Sequence, residues 1–452
     1  MVELEKCLYR CVNCGWEKTL NTGFYAHCPK CKHILVISYE ELETKNLKST
    51  LPGIWRYSSF LPEFRVKPSL GEGGTPVRRG KKLEKKLGLA KLFLKDETKN
   101  PTGAFTDRGA ALITAFSLHN SFQSITSITG GNIAASLATY CAAFGVEFTA
   151  IFRAPVDLEK LYMITACGGY VTSDPKNSRG FIVKPSNPFL VEGYKTISFE
   201  IHEYSKRLPD VIIAPVGHGS LTYALWKGFE ELGEVGLITR KPFLVGVEVG
   251  KTRTAEDGAT EEKKCSFISS ELSVPQPAWR NALKEIVSKG EACLINVSDE
   301  EVVEGLRLLA AFEGLLVETA SATAVSGLIK ALNNGIIRKN QSIMLVVTGS
   351  GLKNPRTFIR ILEKRFIDTC ENELNRPSRI SIEILNMLSE GSLHGYKIWK
   401  KLYTKGYNIT LQAVYYHLKR LEEIGLIRRI VTRPRKTYVI TRDGLEFLKN
   451  IL

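Results

Sequence analysis

Between about residue 50 and residue 355, short apolar runs alternate with amphipathic stretches. Leu92-Phe-Leu-Lys95 precedes a polar loop and the helical pattern Gly109–Phe116. Ser124–Thr129 leads to Gly130-Gly-Asn132 and a helical stretch over Ile133–Tyr140, and Val211–Val216 leads to Gly217-His-Gly-Ser220 and another helix. Unbroken apolar runs followed by segments of helical period predict parallel strands covered on both faces, an α/β fold. From residue 376 the pattern changes. Ile380–Leu388 carries apolar residues at helical spacing, Lys397–Tyr403 forms a second such segment closed by Gly406, and Thr410 is placed to cap a third over Leu411–Ile424. His394, in the punctuating stretch before the second segment, reads as a hinge or cap. Leu426–Val431 and Lys436–Ile440 then flank Thr432-Arg-Pro-Arg435 as a hairpin. Three helices followed by a basic hairpin is the order of a winged helix-turn-helix. Residues 356–375 read as a linker helix.

A chain of 452 residues is too long for one ordinary core. With 44% hydrophobic and 24% charged residues it has the composition of a globular protein. No apolar run is long enough to cross a bilayer, and Met1–Lys6 has no signal-peptide pattern, so no membrane partner and a cytoplasmic location are expected. The net charge of +15 is unevenly placed. From Arg376 onward fifteen basic residues stand against six acidic ones, so a sixth of the chain carries nine of the net charges. That concentration points to a polyanion, DNA, as partner of the C-terminal part.

Five of the ten cysteines fall within the first 31 residues. Cys11-x2-Cys14 and Cys28-x2-Cys31, separated by 13 residues, have the spacing of a zinc ribbon over residues 1–40. Four thiolates close a tetrahedral Zn²⁺ site with no open position, so its role is structural. Cys7 is an extra thiol whose part in the site the spacing leaves open.

The stretch Lys95-Asp-Glu-Thr-Lys-Asn-Pro-Thr-Gly-Ala-Phe-Thr106-Asp-Arg-Gly109 resembles the cofactor loop of threonine synthases and related pyridoxal-phosphate (PLP) enzymes. Gly71-Glu-Gly-Gly-Thr-Pro76, Thr129-Gly-Gly-Asn132, Gly193-Tyr-Lys-Thr196, Glu313-Gly314, Glu318 and Thr348-Gly-Ser-Gly-Leu-Lys353 follow in the order of that family. The resemblance implies a tryptophan synthase β-like fold of two subdomains over residues 50–355. It also implies a PLP hydroxyl bonded by Asn132, a phosphate cup at Gly217, His218, Gly219 and Ser220, and a hydroxyl from Thr348 or Ser350 for the pyridine nitrogen. Three departures stand out. The family's Schiff-base lysine is replaced by Thr106, which can neither form an imine nor act as a base near neutral pH. Gly217-His-Gly-Ser-Leu221 lacks a glycine and an asparagine of the usual cup, and His218 reads as a polar turn residue. In Lys184-Pro-Ser-Asn-Pro-Phe-Leu190 the family's substrate-phosphate arginine is Leu190, with Lys184 left to restore some positive charge. Lys99 and Lys195 are the nearest motif-linked amines, and neither occupies the loop position that faces the ring. PLP, if held, is expected to be non-covalent.

Leu388–Ile398 and Ala413–Ile427 resemble the hallmark strings of PadR-like transcription regulators. The resemblance places the third helix of residues 376–452 in the major groove, with Thr410, Gln412, Tyr415 and Tyr416 near bases or phosphates. Lys419 and Arg420 are phosphate candidates, and Arg433, Arg435 and Lys436 lie on the wing. Trp399, Tyr415 and Tyr416, at helical spacing, are expected to be core or dimer contacts before stacking platforms. Together these readings describe a homodimeric DNA-binding regulator whose silent PLP-fold domain senses an amino acid, its phosphorylated precursor or PLP. The alternative is an active threonine synthase, converting phosphohomoserine to threonine, with a regulatory tail.

Overall fold

The computed structural model describes residues 3–42, 47, 49–129, 131–152, 157–205, 207–250, 272, 274, 276–355, 378–432 and 435–451. The chain divides into two compact units between Thr357 and Phe358. The expected linker helix over 356–375 lies outside the described residues.

Among its described residues the first unit holds three sheets. The N-terminal one is antiparallel, with β1 (Cys7–Cys11) between β2 (Glu17–Thr19) and β3 (Leu35–Tyr39). A six-stranded sheet runs in the order β12 (Ala292–Val297), β11 (Phe243–Val249), β10 (Val211–Pro215), β13 (Ser342–Val347), β5 (Lys91–Asp96), β4 (Val77–Arg79). Its strands are parallel apart from the β4 edge. A four-stranded parallel sheet runs β8 (Tyr170–Thr172), β7 (Glu147–Ile151), β6 (Ser124–Ser127), β9 (Phe181–Val183). Among the described residues ten α-helices accompany these strands: α1 (Lys81–Leu87), α2 (Asp107–His119), α3 (Asn132–Phe144), α4 (Leu158–Ala166), α5 (Pro188–Tyr194), α6 (Thr196–Tyr204), α7 (Ser220–Glu234), α8 (Arg280–Ser288), α9 (Asp299–Glu313) and α10 (Thr319–Asn333). The apolar runs that carried no alternation in the sequence are buried, as in β10, where all five residues are inside.

Buried ionic clusters brace this unit, among them one around Arg108 and one around Lys195. Arg108 on α2, fully buried, donates to Glu97 (Nε to Oε2, 2.7 Å) and to Glu200 (Nη1 to Oε1, 2.7 Å), and Lys95 donates to Glu200 at 2.6 Å. Lys195, equally buried, donates to Glu192 at 2.5 Å and Glu231 at 2.9 Å, and its ammonium lies 4.4 Å from the Tyr39 ring centre. Tyr39 belongs to β3, so the second cluster ties the cysteine-rich sheet to the α/β layers.

The second unit has helices α11 (Arg379–Ser389), α12 (Gly395–Thr404), α13 (Leu411–Glu423) and α14 (Arg442–Ile451) around a small antiparallel sheet. In that sheet β16 (Arg435–Ile440) lies between β15 (Ile427–Thr432) and β14 (Leu393–His394). The hairpin matches the expectation. The two-residue strand β14 has no counterpart in the sequence pattern, because Leu393 and His394 carry no periodicity of their own and pair only with Tyr438 and Thr437. The core of this unit gathers Leu385, Leu388, Ile398, Leu402, Val414, Leu418 and Leu421.

Candidate functional site

The loop before α2 is shaped by residues other than 106. Asp107 accepts from the Thr102 backbone and hydroxyl, both at 2.7 Å. Asn100 accepts from Gly73 N at 2.9 Å and donates to Glu97, while Arg108 anchors the first turn of α2 to Glu97 and Glu200. Gly103 has φ +75°, and a Cβ there would sit 3.2 Å from Ser350 Cβ, so the loop lies close on the segment after β13. With this scaffold the side chain at 106 is free to change without loss of the turn. Thr106 is buried, and its hydroxyl lies 2.7 Å from Ser136 Oγ and donates to the Asn132 carbonyl at 3.3 Å.

Asn132 begins α3, and both ends of its amide are satisfied within the chain. Its Nδ2 donates to Glu318 Oε2 at 2.8 Å, and its Oδ1 accepts from Lys353 Nζ at 2.7 Å. Glu318 also faces Lys353 at 3.6 Å and Lys160 at 3.5 Å, and Lys160 pairs with Asp157 at 3.1 Å. Thr348 Oγ1 lies 2.9 Å from Ser321 Oγ, and Ser350 accepts from the Leu352 backbone in a local turn. Gly349 is required where it stands, since a Cβ would lie 2.1 Å from Glu318 Oε2. Sequence reasoning singled out Asn132, Glu318 and Thr348 but missed Ser136, Lys160 and the direct contact of Lys353 with Asn132. The only signal for Lys353 was its place in the Thr348–Lys353 string.

Gly217, His218 and Gly219 form the turn from β10 into α7, with Gly219 at φ +91° and no side-chain cap on the helix. Trp279 N donates to the His218 carbonyl at 2.9 Å. Burial pushes the His218 imidazole down to about 4, so it is neutral near pH 7, and its Nδ1 has no partner among the described residues. A neutral imidazole adds no charge for a phosphate. Leu190 is fully buried, and a Cβ at Gly109 would lie 2.8 Å from its Cδ2, so it packs against α2 as a core residue. Lys99 is exposed, and Lys195 is committed to Glu192, Glu231 and Tyr39, so neither faces Thr106.

These residues do not fit a covalently held PLP. Partners for the ring and a backbone turn for the phosphate are present, but residue 106 has no amine. Lys160 and Lys353 are both paired with Glu318, and each end of the Asn132 amide already holds one partner.

The cysteine cluster fits a metal. Cys11, Cys14, Cys28 and Cys31 place their sulfurs within 4.8 Å of one another, with Cys11–Cys31 at 3.4 Å and Cys14–Cys28 at 3.6 Å. Zn–S bonds of about 2.3 Å require S···S edges of roughly 3.8 Å, so small shifts would seat the ion. Cys7 lies outside this set and donates to the Glu3 carbonyl at 3.3 Å. Cys28→Ser is expected to abolish stoichiometric zinc binding and open residues 1–40 to protease, measured by metal analysis and limited digestion.

In the second unit Thr410 caps α13, its hydroxyl accepting from Ala413 N at 3.2 Å. Val414, Leu418 and Leu421 face inward, leaving Thr410, Gln412, Tyr415, Tyr416 and Lys419 exposed and Arg420 half-buried. Tyr415 and Tyr416 are therefore surface residues of this unit and not part of its core, whereas Trp399 is half-buried and pinned by Nε1 to the Ile409 carbonyl at 2.9 Å. Lys419 forms an exposed pair with Glu423 at 3.7 Å. Lys436 is exposed on the hairpin; Arg433 and the side chain of Arg435 lie outside the described residues. His394 caps α12, with Nδ1 accepting from Lys397 N at 3.2 Å. Gly395 beside it admits the Tyr415 ring, since a Cβ there would lie 2.6 Å from Tyr415 Cε1. Gly395→Ala is expected to displace Tyr415, lower stability by about 1–3 kcal/mol and weaken DNA binding several-fold, as read by thermal melts and titration.

The two units thus define a PLP-enzyme fold joined to a winged helix-turn-helix. Residues 68–349 match the pyridoxal-phosphate dependent enzyme family, and the chain belongs to it. Residues 384–450 match the transcriptional regulator PadR-like family. The chain is 33% identical over 403 residues to the threonine synthase of Methanocaldococcus jannaschii, covering 82% of this chain and 98% of that one. It is 29% identical over 382 residues to the threonine synthase of Methanosarcina acetivorans, covering 78% and 94%. Among solved structures, maize serine racemase aligns with TM-score 0.52 at 18% identity, over 64% of this chain and 92% of that one. The serine racemase of Dictyostelium discoideum aligns with TM-score 0.50 at 20% identity, over 61% and 92%. At those identities the structures show the fold alone.

Proposed function

We propose that this protein is a DNA-binding transcription regulator whose PLP-enzyme domain is catalytically silent and serves as a pocket for a small ligand. One observation carries the reading. At the position where the family's chemistry needs an amine, Thr106 is held by hydroxyl contacts to Ser136 and Asn132 in a loop that is otherwise fully built. Core packing of Leu190 and the neutral His218 support the same conclusion, since both depart from a phosphate-binding role. The organisation proposed is a zinc ribbon over 1–40, the silent domain over 50–355, a linker helix over 356–375 and the DNA-binding module over 376–452. In this reading the protein works in the cytoplasm as a homodimer that presents two recognition helices to a two-fold operator. An amino acid, its phosphorylated precursor or non-covalent PLP would act by favouring one arrangement of the assembly through differential affinity.

The test is binding of the full chain to DNA from upstream of its own gene, titrated over a range of salt. Saturable, sequence-selective binding whose affinity falls with salt is expected. No selective binding at any salt, with or without added amino acids or PLP, would remove the regulator reading.

A second reading, an active threonine synthase with a regulatory tail, is favoured by one feature. Lys353 places an ammonium 2.7 Å from Asn132 Oδ1, beside the residue that contacts Thr106. Its engagement with Asn132 and Glu318 argues against a free nucleophile.

A further inference from the structure

A groove of about 360 Å³ runs along β9, the free edge of the four-stranded sheet, and is roofed by the cysteine-rich segment. Its walls are aromatic. Phe181 meets Phe24 edge-on with ring centres 4.7 Å apart and stacks on Phe122 at 5.4 Å. The polar lining comes from three nearly consecutive residues, Lys184, Ser186 and Asn187.

Asn187 is 2% exposed, and it is only half satisfied. Its Oδ1 caps α5 by accepting from Phe189 N at 2.9 Å, whereas its Nδ2 has no partner among the described residues. A buried donor left unpaired is costly, so it marks a place where an acceptor is wanted. Lys184, exposed at the same end, supplies a positive charge. The volume falls at the lower end of small-molecule sites, roughly 300–1,000 Å³.

The aromatic end of this groove is remote from Thr106, whereas its polar end adjoins the Thr129–Asn132 loop, since Val183 pairs with Ser127 and its carbonyl accepts from Ile128 N at 2.9 Å. Phe122 lies beyond the C-terminal end of α2, and Thr106 lies at its N-terminal end, so the 13-residue helix puts about 20 Å between them. Phe189, two residues after Asn187, packs on Phe116 in the C-terminal half of the same helix at 4.6 Å.

We propose that this groove binds a small apolar carboxylate, with its hydrocarbon body against Phe24, Phe122 and Phe181. The carboxylate accepts from Asn187 Nδ2 and pairs with Lys184. One amide donor and one ammonium suit a monoanion with two oxygens; a phosphate would leave acceptors unmet. The proposal does not depend on the regulator reading, because none of its lining residues contacts Thr106 or belongs to the second unit.

The test is calorimetric titration of the zinc-loaded full chain with 3-phenylpropionate and hexanoate, and with 3-phenylpropanamide as the uncharged counterpart. One-to-one binding of the carboxylates is expected, at least about tenfold tighter than the amide, since a charge-assisted bond is worth roughly 1.5–3 kcal/mol. Lys184→Glu should weaken carboxylate binding at least tenfold. Asn187→Asp should do the same while keeping the acceptor that caps α5, and thermal melts show whether each variant is folded. Should Asn187→Asp not fold, Lys184→Glu alone decides. Absence of saturable binding by the unsubstituted chain, equal affinity for carboxylate and amide, or affinity unchanged in Lys184→Glu would each overturn the proposal.

Discussion

Replacing Arg108 by methionine is expected to destabilise the first unit by about 3–5 kcal/mol, enough to unfold it at moderate temperature. The guanidinium is fully buried and shared between Glu97 and Glu200, with further bonds to Thr75 and Thr196. Methionine fills much of the volume but leaves two buried carboxylates to share the single ammonium of Lys95. The pH dependence has a definite sign. Burial alone would raise the Glu200 carboxyl, but Arg108 and then Lys95 hold it well below the usual carboxylate range. In the unsubstituted protein this stabilisation is present above the unfolded glutamate range and is lost as pH falls through the depressed folded value. Without Arg108 the desolvation is no longer offset and the folded carboxyl values rise, so the variant loses stability as pH increases. Melting curves of the two proteins should therefore diverge most at about pH 7–8 and approach each other near about pH 5, an interval that starts just above the ordinary glutamate value of about 4.3. A constant difference across that interval would mean the cluster is not ionised as described.

Substituting Lys419 and Lys436 together by alanine is expected to lower DNA affinity about 10- to 100-fold at moderate salt and to reduce the slope of log K against log salt by about 2. Both side chains are exposed, one on α13 and one on the hairpin. The pair that Lys419 makes with Glu423 is solvent-exposed, and such pairs contribute little, so the lysine is available to a phosphate. Gln412→Ala, on the exposed face at the start of α13, should instead weaken binding to the preferred site more than to unrelated DNA. Titrations of specific and scrambled duplexes over a salt series separate the two effects. An unaltered slope in the double variant would remove Lys419 and Lys436 from the interface.

The fold was legible where local chemistry determines it. Apolar runs ending in glycine turns marked β6 and β10, the cysteine spacing marked the four-cysteine cluster, and Thr410 and His394 announced the caps of α13 and α12. What stayed hidden depends on residues brought together from far apart. Asn132 meets Glu318 and Lys353 across 186 and 221 positions, and no local pattern encodes such a contact. The run from Lys184 to Leu190 resembles a substrate-binding string in sequence. In the structure Leu190 is core, Asn187 is a helix cap and Lys184 lines the groove along β9, because the packing of α5 on α2 decides where those side chains go. The helical spacing of Tyr415 and Tyr416 suited core or dimer contacts; the core alternative falls, since the inward face of α13 is filled by Val414, Leu418 and Leu421.

The central claim, that the pocket around Thr106 was kept for binding while its chemistry was lost, meets its most direct test in one spectrum. The full chain is incubated with PLP, dialysed, scanned in the visible range, reduced with borohydride and mapped by mass spectrometry. The expected result is no visible band that survives dialysis and no pyridoxyl-lysine in the first unit. A persistent band, with the pyridoxyl group fixed on Lys353 or any other lysine facing Asn132, would contradict the account and favour an active enzyme.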